Sequence, residues 1–99
     1  VTPDPHAVLR DEVLESVLRG TGESDPSIRR AAADNVGVHS DLKILVDKIH
    51  ARAYTVTDDD VARLQPTYGD DRLFEIIVSA ALGASRKRLL AGLAALDEA

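Results

Sequence analysis

The stretch "LFEIIVSAALGA", residues 73 to 84, constrains the fold more than any other part of the chain, because only Glu75 and Ser79 in it are clearly polar. It is too long for one strand and carries no strand-like alternation, so it reads as a helix that is apolar around nearly its whole circumference. A helix of that kind has to be surrounded, by its own domain or by another subunit. In a chain of 99 residues the remaining short helices, about fifty residues in all, do not suffice to wrap all of it, so an obligate or near-obligate homo-oligomer, most simply a dimer, is expected.

The remaining sequence is punctuated as short helices. "PDPHAVLRDEVLESVLRGTG" opens with Asp4 as cap and Pro5 at the first helical position, aligns Leu9, Val13, Leu14 and Val17, and stops at Gly20 and Gly22. "SDPSIRRAAADN" repeats the opening with Asp25 and Pro26 and ends at Asn35 and Gly37. In "HSDLKILVDKIHARAY" either Ser40 or Asp41 is expected to cap, with Leu42, Leu45, Val46, Ile49 and Ala53 on one face. After the β-branched break "TVT", Thr57 and Asp60 have the spacing of a capping box, and Asp58, Asp59 and Asp60 fill the positive end of a short helix. Pro66 and Gly69 close that helix near Gln65, and Asp70 or Asp71 caps the last and longest one. Gly83 inside this last helix costs about 1 kcal/mol against alanine, which a close helix–helix approach justifies.

These signals predict an all-α domain spanning 1–99, with about five helices in a compact orthogonal or antiparallel bundle ending in a long apolar helix. Residues 1–39 form the N-terminal helices and 40–99 the core. With three aromatic residues, that core is aliphatic.

Composition removes several functions. No cysteine occurs, which excludes disulfides, thiolate nucleophiles and cysteine-ligated zinc. The formal charge of −5 argues against nucleic acid or an anionic membrane as partner. Arg86, Lys87 and Arg88 form one basic run, read as the solvated face of a helix or as a dock for an acidic partner. No signal sequence or membrane span is evident, so a cytoplasmic location is expected. No phosphate loop, dinucleotide fingerprint or serine elbow occurs, and no two histidines lie four apart, so neither a cofactor nor a metal is expected.

The segment Val46–Leu96, with "VTDDDVARLQPTYGDDRLFEIIVSAALGA" at its centre, resembles the alkylhydroperoxidase D-like, carboxymuconolactone decarboxylase superfamily. That family works through Glu-x11-Cys-x-His-Cys-x3-His just before the glycine that corresponds to Gly69. Carried onto this chain, Tyr54 and Thr57 take the two cysteine positions, and Val56 and Val61 the two histidine positions. Leu42 takes that of the glutamate, so none of the five functional types is kept. Thr57 sits at a helix N-terminus, where a thiolate would be favoured. The resemblance therefore implies a homo-oligomeric binding or assembly module without peroxidase activity, most simply a dimer, with Thr57 and Val61 at a possible small-molecule site. The alternative is a decarboxylase-type enzyme acting on a small lactone or keto acid. For that chemistry Asp47, His50 and Tyr54, one helical turn apart in succession, are the candidate acid–base group.

Overall fold

The computed structural model describes Leu18 and residues 22–98, and these are helical with no strand among them. The expected first helix lies outside the described residues, apart from Leu18, which is helical and buried.

Helix α1 spans Pro26–Asp34 and starts as its sequence dictates. Asp25 is extended, and its carboxylate accepts from the Ser27 amide at 2.8 Å and the Ser27 hydroxyl at 2.9 Å. It stops at Asn35, which takes the left-handed conformation (φ 53, ψ 45) and donates its N–H to the Ala31 carbonyl. Helix α2 spans Lys43–Arg52 and departs from expectation at its start. Leu42, not Ser40 or Asp41, occupies the cap position and makes no side-chain cap. Residues 40–42 form a turn instead, and both carboxylate oxygens of Asp41 accept from the Tyr68 hydroxyl at 2.8 Å. A partner 27 residues away outcompetes the local amide.

A 3-10 turn, Ala53–Thr55, follows directly, and then the short helix α3, Asp58–Ala62. Helix α4 is Gln65–Glu98, broken at Gly69, whose φ of 76 and ψ of 170 are open to glycine and strained for other residues. Pro66 thus lies inside a first turn that leads to the break, rather than ending the helix before it.

The core is where α1 and α2 lie against one face of α4. Ala32 from α1, Leu45, Val46 and Ile49 from α2, and Leu73, Ile76 and Ala80 from α4 are all nearly inaccessible, with Leu42 and Leu64 closing the ends. Leu18, Ala33 and Leu82 form a second, smaller cluster. Gly83 is buried at the α1–α4 crossing, where a Cβ would lie 2.0 Å from the Ala33 carbonyl oxygen. The close approach expected at Gly83 is therefore made within the chain.

Among the described residues, α4 is covered on one side only. Phe74 is 68% exposed and Leu96 is 72% exposed, while Ile76 and Ala80 on the opposite face are sealed. One face of α4 is covered by α1 and α2, and another is open.

Candidate functional site

The joint between α2 and α3 is organised around Asp60. The capping box that the sequence spells is present: the Asp60 amide donates to Thr57 Oγ1 at 3.2 Å, and the Thr57 amide donates to Asp60 Oδ2 at 2.9 Å. Asp58 and Asp59 point to solvent, whereas Asp60 is 4% exposed. Its Oδ2 also accepts from Lys48 Nζ at 2.6 Å, and its Oδ1 from Arg63 Nη2 at 2.7 Å. These are short, charge-assisted bonds from two cations to one buried carboxylate. The Lys48 ammonium above all, and then the Thr57 amide, hold the Asp60 carboxyl well below the usual carboxylate range.

Beside this clamp lies a surface cleft of about 190 Å³ lined by Asp41, Ile44, Leu45, Asp60, Arg63 and Leu64. A broader, open depression runs along Thr57, Asp59, Asp60, Ala62 and Arg63. Desolvation first, and then the facing Asp41 carboxylate, push the Tyr68 phenol up to about 12. With the Asp60 carboxyl held low and the Tyr68 phenol pushed up, Asp60 stays charged and Tyr68 neutral at neutral pH, far from the poise that proton transfer needs.

The candidate acid–base group is divided by the local backbone. Arg52 (φ −153, ψ 83) leaves helical geometry, so the helical register that would align Tyr54 with His50 ends before it arrives. Tyr54 is 84% exposed. Asp47 and His50 both turn toward α1 and reach different partners there. Asp47 Oδ1 accepts from Asn35 Nδ2 at 3.0 Å and from Lys43 Nζ at 2.9 Å, and these bonds, Lys43 foremost, lower its pKa. His50 Nε2 lies 2.7 Å from the Ala32 carbonyl oxygen, to which it donates. No hydrogen bond joins Asp47, His50 and Tyr54 to one another among the described residues.

Thr57 is exposed at the surface as the cap, and Val61, half-buried, packs against the main core. Lys48 and the burial of Asp60 carried no signal in the sequence. Arg63, three residues beyond Asp60, had the helical spacing for an ion pair and could have been read.

The basic run is also committed. Lys87 Nζ donates to the Asp34 carbonyl at 2.6 Å, and Arg88 Nη2 to the His50 carbonyl at 2.9 Å. These carbonyls lie in the last turns of α1 and α2, where the helix dipole favours a cation. Arg86 is partnered as well.

Among the described residues, no group of three or more histidine, aspartate or glutamate side chains could hold a metal ion, and no helix is long and apolar enough to cross a membrane. No family model, curated protein or solved structure matches the chain.

Proposed function

We propose that this chain is a helical association module of the alkylhydroperoxidase D-like kind, free of thiol chemistry, that acts as a homo-oligomer. The observation that carries the reading is the spending of polar groups at the joint. Asp60, Lys48, Arg63, Asp47 and His50 all hold parts of the same chain together. Thr57, at the position where the resembling family carries its second cysteine, serves as a helix cap. A joint built this way gives shape to a surface and offers no nucleophile. The open apolar face of α4 is the natural place for a partner, since Phe74 and Leu96 are solvent-exposed there.

Two measurements test this. Peroxide consumption with a dithiol or lipoyl donor should equal the protein-free blank, because no thiolate is present to attack the peroxide. Light scattering at micromolar concentration should show a mass above that of one chain, most simply that of two. A protein-dependent peroxide rate, or a stable, folded monomer at micromolar concentration, would overturn the proposal.

A further inference from the structure

We infer that the loop of residues 22–24 and the Arg29 guanidinium form a carboxylate seat filled by the chain's own Glu75, and that this contact is a latch fastening the loop, with Leu18 ahead of it, to α4. Two successive backbone amides meet one carboxylate there: Glu23 donates to Oε2 at 3.0 Å and Ser24 to Oε1 at 3.3 Å. The Ser24 hydroxyl also donates to Oε1, at 3.1 Å. Consecutive N–H groups aimed at one point make an anion cradle. Arg29 reaches in from α1, 3% exposed, and its Nη1 lies 3.8 Å from Oε1, adding positive charge to the cradle. The adjacent Asp25 is turned away to Ser27, so a carboxylate 51 residues beyond Ser24 takes the seat. Gly22 makes the room, because a Cβ at that position would collide with the Glu75 carboxylate.

The seat is one end of a groove between α1 and α4. Glu75 and Leu82 lie about two turns apart on one stripe of α4. Arg29 and Ala33, one turn apart, share a face of α1. The groove is therefore charged where Glu75 meets Arg29 and apolar where Leu82 meets Ala33. The loop of residues 22–24 fills the charged end and Leu18 packs in the apolar one. That apolar cluster is separate from the main core, and residues 22–24 join neither cluster. Bonds to a single side chain are lost together, so the latch opens in one step. Opening uncovers Ala33 and Leu82 and leaves the main core closed, a local release that precedes global unfolding.

Amide hydrogen exchange followed by NMR at neutral pH tests the latch. In the wild-type chain the Ser24 amide should exchange at least tenfold more slowly than in the unfolded chain. Gly22→Ala should cancel that protection, because the new methyl displaces the Glu75 carboxylate. The core amides of Val46 and Ala80 should keep theirs in the same variant. Glu75→Ala should lose protection at Ser24 as well. Sodium acetate should then slow its exchange at least twofold, and sodium chloride at equal ionic strength should not, because a carboxylate fits the emptied seat. Should Glu75→Ala fail to fold, acetate should recover its helical circular dichroism where chloride does not. A wild-type Ser24 amide that exchanges as in the unfolded chain, or one that stays protected in Gly22→Ala, overturns the latch. So does a Gly22→Ala chain in which Val46 and Ala80 open along with Ser24, since the loop then belongs to the cooperative core. Acetate acting no better than chloride overturns the seat. None of these readouts depends on oligomeric mass, so the latch and the association reading fail separately.

Discussion

Asp60 is the residue on which the joint turns. Half of its environment is local, and that half is written in "TDDD": a threonine and an aspartate three positions apart predict the capping box, and the box is there. The other half comes from Lys48, 12 residues earlier, which no spacing rule connects to Asp60. The same division separates Glu75 from its reading as one of two polar residues in an apolar run. Its carboxylate accepts from the amides of Glu23 and Ser24 and from the Ser24 hydroxyl, and Arg29 lies 3.8 Å away. Those bonds and the nearby guanidinium outweigh desolvation, and the net pKa is lowered. Asp25, Asp47, Asp60 and Glu75 thus all bind protons less readily in the folded chain than in the unfolded one. Stability from these groups is complete above the unfolded carboxylate range and is lost as pH falls through the lower folded values. The thermal midpoint should hold steady from pH 7 to about 5 and fall steeply below about pH 4. Asp60→Asn should lower the midpoint at pH 7 and flatten the acid decline; an acid limb as steep as wild type would show that Asp60 is not among the groups that govern it.

Helix ends show why some elements were legible and others were not. The starts of α1 and α3 need only residues adjacent in sequence, so Asp25-Pro26 and Thr57–Asp60 could be read directly. The start of α2 could not, because Asp41 is drawn to Tyr68. Lys87 and Arg88 read as a solvated face because their acceptors, the terminal carbonyls of α1 and α2, exist only after those helices have docked. Gly83 and Gly92 of α4 separate in the same manner: each lowers helix propensity, and only packing tells them apart. Gly83→Ala forces a methyl against the Ala33 backbone, a contact that no side-chain rotation relieves, and should destabilise by about 1–3 kcal/mol. Gly92→Ala meets nothing within 4 Å among the described residues and should stabilise by about 0.5–1 kcal/mol through helix propensity. Urea unfolding of the two variants beside wild type measures both; equal effects would mean that the α1–α4 crossing is looser than its geometry.

At the scale of the molecule, α4 is a spine that its neighbours cover unevenly. Sequence could say that residues 73 to 84 needed covering, since periodicity records how apolar each face is. It could not say which face α1 and α2 would take, because that depends on where the chain reverses at 35–42 and 53–57. The cover reaches Ala84, and the bonds from Lys87 and Arg88 bind the helix to the ends of α1 and α2. From Ala91 to Asp97 every residue except the half-buried Leu93 is exposed. The last two turns and more of α4 therefore add little to the monomer, yet they carry Leu96, one of the exposed large side chains of the open face. Removing residues 91–99 should shift the thermal midpoint of dilute protein by no more than about 4–8 °C, the equivalent of roughly 1 kcal/mol in a domain this size. The same truncation should weaken association at concentrations where the full chain is dimeric, because it removes Leu96 and shortens the open apolar face. Scanning calorimetry at low concentration and sedimentation at high concentration separate the two effects. A truncated chain that unfolds at much lower temperature would place the C-terminal turns in the fold itself. One that still dimerises as tightly as the full chain would move the interface off α4.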